Sequence, residues 1–245
     1  MPRRISDYQV LTFDCYGTLI DWESGIWDAL QPVIMHNNRF DLTRHRVLSV
    51  FARHENAQET ATPDMLYPIL LQTIHSKIAA EFELETTPQL AEDFGQSVPH
   101  WPAFPDTADA LRYLKSRYKL VVLSNVNRDG FAASNRKLGV KFDAIYTAED
   151  IGSYKPVPAN FEYMITHLRS DLGLGAAAVL HTAQSLLHDH QPARAFGLAN
   201  AWIDRQRLSQ GGDWGATAPI AEQPHTDFLF FSMAEMADAV RDSAP

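Results

Sequence analysis

The sequence feature that most constrains the fold is an alternation of short apolar segments with amphipathic segments of helical period. Segments rich in β-branched and aromatic residues are typical of buried strands, and five of them lie at residues 8–14, 119–125, 142–147, 177–182 and 198–203. Helical segments occur beside them at residues 107–117, 128–138, 159–172 and 190–196. Strands that alternate with helices form βαβ units, which assemble into a parallel sheet covered on both faces. The sequence therefore predicts an α/β fold, completed by a strand at 227–231 and a helix at 233–241.

Residues 22–100 break this alternation, because they contain several helical segments and no strand-like segment. The helical segments lie at residues 25–36, 43–60, 68–82 and 89–98. Three prolines in PHWPAFP, residues 99–105, mark a boundary, since proline interrupts helices. We therefore predict a helical cap over residues 22–100, inserted after the first strand of a core that comprises residues 1–21 and 101–245.

Charge and cysteine content narrow the class of protein. Among the 245 residues, 21 lysines and arginines stand against 30 aspartates and glutamates, which gives a net charge of −9. This balance argues against a nucleic-acid-binding protein, because phosphate contacts need a basic face. The single cysteine, Cys15, permits no internal disulfide and suits a reducing compartment. With neither a signal peptide nor a bilayer-spanning apolar segment in the sequence, we predict a cytoplasmic protein without a membrane partner.

Polar residues follow four of the predicted strands at the point where each strand ends. The carboxyl ends of parallel strands meet at one edge of the sheet, where ligands bind in such folds. A carboxylate, hydroxyls, an amide and an ammonium group are therefore expected to converge on one site. These residues are Asp14 with Thr18 after the first strand, Ser124 with Asn125 at the second, Lys155 after the third and Asp189 after the fourth.

Four of these segments carry a resemblance to a known family. FDCYGTL, LSN, the lysine of SYKP and the late aspartate of HDHQPARAFG resemble the four motifs of the haloacid dehalogenase (HAD) superfamily. Within it the chain is most similar to the L-2-haloacid dehalogenases (type II), whose last βα region resembles ARAFGLANAWIDR. The resemblance covers nearly the whole chain. It implies a Rossmann-like core and places the family's cap domain at the helical insertion.

Two departures from the phosphatase pattern of this superfamily favour carbon–halogen chemistry. The resemblance makes Asp14 the nucleophile, and phosphatases carry a second aspartate two residues later, where this chain has Tyr16. That second acid protonates a leaving alkoxide, whereas a halide leaves without a proton. Gln184 and Ser185 stand where phosphatases hold an acid for Mg²⁺. We therefore predict that the enzyme needs neither a metal nor another cofactor, with Lys155 balancing the substrate charge.

The reaction that the resemblance implies is hydrolysis of a short 2-haloalkanoic acid, of L configuration, to a 2-hydroxy acid and halide. Asp14 would displace the halide and form an ester, which water then hydrolyses. The resemblance assigns the supporting roles as follows: Thr18 orients Asp14; Ser124, Asn125 and Tyr16 bind substrate; Lys155 supplies positive charge; Asp189 positions Lys155 and water; and Arg53, in VFARHE of the insertion, cradles the halide.

Activation of the water is the step for which the sequence departs most from this branch. The usual asparagine before the last aspartate is replaced by Leu186, and His188 directly precedes Asp189 where Trp or Phe is usual. A neutral imidazole can deprotonate water near pH 7 when an acid orients it. We hypothesise a His188–Glu23 dyad, with Asp21 as the alternative acid. The opposing interpretation is that His188 only packs and that Glu23 caps the first cap helix.

Other interpretations stay open at this point. His181, His188 and His190 could belong to a metal site, although His181 lies within a strand and fits a hydrogen-bonded core residue better. The rival functions are a phosphatase for a small phosphorylated metabolite and a non-catalytic protein that binds a carboxylate or a partner. Many cap-bearing members of the superfamily self-associate, so the resemblance also leaves a homodimer open.

Overall fold

The computed structural model describes residues 3–213, 216–217 and 220–243. Within these residues the predicted α/β architecture is confirmed: six parallel strands form one sheet in the order β3-β2-β1-β4-β5-β6. The strands are β1 (Val10–Phe13), β2 (Lys119–Ser124), β3 (Ala144–Thr147), β4 (Val179–Ala183), β5 (Ala199–Ile203) and β6 (Phe228–Phe230). The helices are α1 (Trp22–His36), α2 (Arg44–Ala61), α3 (Tyr67–Glu81), α4 (Pro88–Gly95), α5 (Thr107–Lys115), α6 (Arg128–Leu138), α7 (Ala148–Ile151), α8 (Pro158–Leu172), α9 (Gln191–Ala195) and α10 (Met233–Asp242).

Strand β1 lies at the centre of the sheet, which explains its continuous apolar character. It pairs with β2 on one side and β4 on the other, so that Leu11 stands opposite both Leu120 and Leu180. Every residue of β1 is buried, as expected for a strand covered by helices on both faces. The carboxyl ends of β1, β2 and β4 therefore meet at one edge, and Asp14, directly after β1, lies in the middle of it.

The segment predicted to form a cap contains four helices, α1 to α4. Asp21 begins α1 as its N-cap, because Asp21 Oδ1 accepts a hydrogen bond from the backbone N–H of Ser24 at 3.0 Å. At the boundary with the core, a Cβ atom on Gly25 would lie 2.2 Å from the Trp101 ring, so only glycine fits against this indole. The expectation that Glu23 caps α1 is therefore wrong, since Asp21 fills that position.

The segment after the fourth strand contains one element that the sequence did not predict. The helix predicted at residues 190–196 is confirmed as the short α9, but a single π-helical turn over Leu186–His190 precedes it. The wider π turn is common at functional sites. Ser185 begins the turn, because its hydroxyl accepts from the backbone N–H of His188. No helix among the described residues is both long and apolar enough to traverse a bilayer.

Candidate active site

The turn after β1 fixes the carboxylate of Asp14. Gly17 takes a φ of +92°, a conformation that glycine adopts without strain, and its N–H donates to the carbonyl of Ile20. The turn brings Thr18 back over the end of the strand, where its hydroxyl donates to Asp14 Oδ2 at 2.6 Å. Thr18 Oγ1 in turn accepts from the backbone N–H of Gln184 at 2.9 Å. The predicted nucleophile and its predicted orienting residue are thus in direct contact.

Lys155 lies between two carboxylates. Its ammonium group donates to Asp14 Oδ1 at 2.9 Å and to Asp189 Oδ1 at 2.7 Å, and the side chain is only 1% exposed. Burial lowers the pKa of Lys155, but the two carboxylates outweigh burial and hold this pKa above its ordinary value. Lys155 is therefore charged, and it links residues from three separate strand ends into one buried cluster.

Asp189 receives two donors on the same oxygen. Besides Lys155, His181 Nε2 lies 3.0 Å from Asp189 Oδ1, and His181 Nδ1 lies 2.9 Å from the hydroxyl of Thr12. Burial raises the pKa of Asp189, but Lys155 and His181 outweigh it and hold the pKa below its ordinary value. An ionised carboxylate only accepts, so His181 carries its proton on Nε2. Among the described residues Asp189 Oδ2 has no hydrogen-bond partner.

Asn125 and Ser124 complete the core side of the site. The Asn125 amide bonds to the backbone of Lys155 in both directions, accepting from its N–H at 2.7 Å and donating to its carbonyl at 3.0 Å. Ser124 is buried, and its hydroxyl has no partner among the described residues. Asn125 lines the cavity described next, whereas Ser124 is not among its lining residues.

A cavity lies between core and cap, with about 670 Å³ of space including its mouth and the adjoining solvent. Asp14, Tyr16, Asn125, Lys155 and Asp189 line it on the core side. The cap contributes Trp22, Ala52, Glu55, Asn56, Glu59 and Tyr67.

The cap presents glutamates to the cavity, and Arg53 is not among the lining residues. The expected halide-cradling position is therefore wrong: Arg53 is exposed, and its guanidinium pairs with Glu81 at 2.5 Å. The reason is the rotation of α2, since successive residues of a helix point about 100° apart. Glu55 and Glu59, one turn apart, face the cavity with Ala52 and turn Arg53 away from it.

Both cap glutamates accept hydrogen bonds. Tyr67 donates its hydroxyl to Glu55 Oε1 at 2.6 Å, and Asn125 Nδ2 donates to Glu59 Oε1 at 3.3 Å. Burial raises the pKa of Glu55 to about 7. Burial, followed by the charge of Glu55, raises the pKa of Glu59 well above its ordinary value. These glutamates were not singled out from the sequence.

Tyr16 lines the cavity with its ring while its hydroxyl points into the core. The hydroxyl lies 3.0 Å from Ser134 Oγ, and the ring packs edge-on against Trp101 with centroids 5.3 Å apart. Burial raises the pKa of Tyr16 well above its ordinary value. The phenol therefore stays protonated and bonded to Ser134.

His188 lines the cavity, but the expected dyad with Glu23 is wrong. His188 Nδ1 lies 3.2 Å from Ser185 Oγ, and Nε2 lies 3.0 Å from Asn56 Oδ1 on the cap. Glu23 instead accepts from Gln206 Nε2 and from a backbone N–H, each at 3.3 Å. Burial lowers the pKa of His188 to about 4, so the imidazole is neutral at pH 7.

The histidines near the last motif bond to protein groups. His181 bonds to Thr12 and Asp189, as described above, and His190 Nε2 lies 2.9 Å from the carbonyl oxygen of Ala183. The core interpretation of His181 is thus correct, although the residue also contacts the site. Across the described part of the chain, no group of three or more His, Cys, Asp or Glu side chains is placed to hold a metal ion.

Similarity to known proteins agrees with this architecture. A family model described as haloacid dehalogenase-like hydrolase matches residues 8–181, and a search of curated proteins gives no match. Among solved structures, a defluorinating L-2-haloacid dehalogenase is 20% identical with a TM-score of 0.76, covering 98% of this chain and 100% of that one.

Two further solved structures show the same fold. An L-2-haloacid dehalogenase from Xanthobacter autotrophicus, with chloropropionic acid covalently bound, is 19% identical with a TM-score of 0.77, covering 97% of this chain and 100% of that one. A HAD-hydrolase from Bacillus subtilis bound to magnesium is 18% identical with a TM-score of 0.74, covering 98% and 100%. At these identities the likeness concerns the fold, and the family match over most of the chain shows that the protein belongs to the haloacid dehalogenase-like hydrolases.

Proposed function

We propose that the protein hydrolyses the carbon–halogen bond of short L-2-haloalkanoic acids through an ester on Asp14. The observation that carries the proposal is the buried contact of the Asp14 carboxylate with Lys155 and Thr18, beside a small cavity. Lys155 donates to one carboxylate oxygen of Asp14 and Thr18 donates to the other, so the orientation of the nucleophile is fixed. The solved dehalogenase with chloropropionic acid covalently bound supports the covalent step by analogy.

The steps balance without an additional reactant. A carboxylate oxygen of Asp14 attacks C2 of the substrate, a carbon–oxygen bond forms, and the carbon–halogen bond breaks with its electron pair on the halide. Water then attacks the carbonyl carbon of the ester and releases the 2-hydroxy acid, Asp14 and one proton. Attack from the side opposite the halogen inverts the configuration at C2.

Tyr16 favours this reaction over phosphate ester hydrolysis. The hydroxyl of Tyr16 bonds to Ser134 and its pKa is raised, so it is a poor acid for a leaving alkoxide. Gln184, in the place of a metal-binding acid, donates its amide to Gln206 and Thr217. Magnesium prefers carboxylate and water oxygens, so these residues do not fit it well.

Asp189 is the group that we assign to the water. Asp189 lines the cavity, and its Oδ2 has no partner among the described residues, while Oδ1 is held by Lys155 and His181. A fixed carboxylate with one free oxygen can hold and orient water as the ester is attacked. His188 is less suited to this task than expected, because both of its ring nitrogens are engaged by Ser185 and Asn56.

Ser124 and Asn125 are the proposed contacts for the substrate carboxylate, with Lys155 as the nearby cation. Asn125 lines the cavity directly, and the Ser124 hydroxyl, although Ser124 is not among the lining residues, has no partner in the described structure. Because Arg53 pairs with Glu81 outside the cavity, the proposed contacts for the halide are the polar groups that line the cavity.

The deciding experiment measures two activities side by side. Halide release from L-2-chloropropionate is followed in EDTA, and p-nitrophenyl phosphate hydrolysis is followed with Mg²⁺. The proposal predicts halide release that EDTA does not lower, and no phosphatase activity above that of an Asp14→Asn variant. Magnesium-dependent phosphatase activity without halide release would establish the rival function.

A further inference from the structure

Two glutamates of the cap line the same cavity as the nucleophile, and neither forms an ion pair with a cationic side chain among the described residues. Glu55 and Glu59 line the same cavity as Asp14, and Glu59 is only 7% exposed. Among the described residues the one cationic side chain in this lining is Lys155, which already pairs with Asp14 and Asp189. Buried carboxylates are normally paired or bonded to a ligand. The cavity thus has four carboxyl groups and one ammonium group.

The hydrogen bonds show that both glutamates are placed as acceptors. The two backbone contacts of Asn125 with Lys155 fix which end of its amide is the nitrogen. That nitrogen points at Glu59 Oε1, so this oxygen accepts. Glu55 Oε1 likewise accepts from the hydroxyl of Tyr67. Each carboxyl keeps a second oxygen that accepts no hydrogen bond from the residues that the structure describes.

The core side of the cavity also has an acceptor for which the described residues supply no donor. Asp189 is fully buried, lines the cavity and leaves Oδ2 without a partner in the described part of the chain. A buried carboxylate oxygen without a donor is costly unless a bound molecule supplies one. The cavity therefore combines unfilled acceptors on its core side with unfilled acceptors on its cap side.

We propose that Glu55 and Glu59 form a subsite for a primary ammonium group, so that the substrate is a 2-haloalkanoic acid with an amino group on its side chain. The assignment of a 2-haloacid as substrate rests on the function proposed above, whereas the ammonium subsite rests on the two cap glutamates. An ammonium group carries three donors in a compact charge, which matches two carboxyl groups one helical turn apart. A purely alkyl side chain would leave both carboxyls buried against carbon.

Proton release on binding gives the proposal a signature of its own. Burial raises the pKa of Glu55 to about 7 and the pKa of Glu59 well above its ordinary value, so both bind protons in the free protein near neutral pH. A bound ammonium group favours the charged carboxylates and lowers both pKa values. Binding below about pH 7 therefore releases protons to the buffer. The other groups that act on this pair are Tyr67, Asn125, Tyr154 and Lys155.

The test compares two molecules that differ by one ammonium group. Isoserine (3-amino-2-hydroxypropionate) and L-lactate are titrated into the protein by calorimetry at pH 6.5 in buffers of different ionisation enthalpy. We expect isoserine to bind about tenfold more tightly or better, as one partly buried ion pair allows, and to release protons. The double variant Glu55→Gln, Glu59→Gln is expected to bring the affinity ratio to about one and to abolish proton release.

Controls separate this inference from the proposed chemistry. Glu92→Gln, an exposed glutamate on cap helix α4, is expected to keep the wild-type ratio and proton release. Equal affinities in the wild type, or tighter binding of lactate, would overturn the ammonium subsite. Because binding is measured without turnover, preferential binding of isoserine would support the subsite even if no halide were ever released. Halide release with equal affinities would support the chemistry alone.

Discussion

His181 Nε2 lies 3.0 Å from Oδ1 of Asp189, and this buried contact places a strand residue directly behind the candidate site. His181 belongs to β4, next to β1, and its other ring nitrogen bonds to Thr12 of that central strand. The position of Asp189, and through it the position of Lys155, is therefore set from inside the sheet.

We predict that His181→Phe destabilises the protein and slows turnover, because Asp189 loses a buried donor. The free energy of unfolding should fall by about 1–3 kcal/mol, and kcat should fall with a smaller change in KM. Thr12→Val should have a smaller effect, because it removes only the hydroxyl that bonds to Nδ1 of His181 and leaves the His181–Asp189 contact in place. Denaturant unfolding and steady-state halide release check both variants. Equal kcat in His181→Phe and wild type would show that His181 does not position Asp189.

Lys155→Met removes the cation between Asp14 and Asp189, and we predict loss of activity together with lower stability. Removing one partner of a buried ion pair costs about 3–5 kcal/mol, and both carboxylates would then take up protons more readily. The stability difference from wild type should therefore shrink as the pH falls toward 5. Unfolding curves at two pH values measure this. A difference that grows at low pH would contradict the arrangement.

The acid limb of the pH–rate profile should belong to Asp14. Burial raises its pKa above the ordinary value of 3.8, and Lys155 offsets part of that rise. Because the nucleophile acts in its charged form, kcat/KM should fall as the pH drops through this raised pKa. His188, with a pKa of about 4, should add no titration between pH 6 and 8. A step near pH 6.5 that disappears in His188→Asn would show that the imidazole titrates in the reaction.

Asp189→Asn and His188→Asn separate the two candidates for water activation. With Asp189 as the acceptor, we expect Asp189→Asn to release about one equivalent of halide per site and then stall as an ester. His188→Asn should continue to turn over, with a changed KM because its bond to Asn56 on the cap is lost. Intact-protein mass spectrometry detects the ester. Accumulation of the ester in His188→Asn alone would return the role of base to the histidine.

The sequence was sufficient for the sheet and for the core side of the site. Strand periodicity placed β1 among buried strands, and parallel strands necessarily bring their carboxyl ends together, which is why Asp14, Asn125 and Lys155 meet. The residues that line the cavity from the cap could not be predicted in this way. Whether Arg53 or Glu55 faces the cavity depends on how α2 is rotated against the core, and periodicity alone does not align a helix with a partner distant in sequence.

The partner of His188 was unpredictable for a similar reason. Its contact with Asn56 joins residues 132 positions apart across the cap and the core. The actual partner of Glu23, Gln206, is likewise 183 positions away in sequence. The spacing of Glu55 and Glu59 was visible in the sequence as one helical turn, but only the packing of α2 shows that this face lines the cavity.

The most direct test of the account is the source of the oxygen in the first turnover. The enzyme, in excess over L-2-chloropropionate, is run once in H₂¹⁸O, and both the product and the peptide that contains Asp14 are analysed by mass spectrometry. If Asp14 forms the ester, the first 2-hydroxy acid carries no ¹⁸O at C2 and Asp14 gains one labelled oxygen. Label in the product, with Asp14 unlabelled, would mean direct attack by water and would contradict the mechanism.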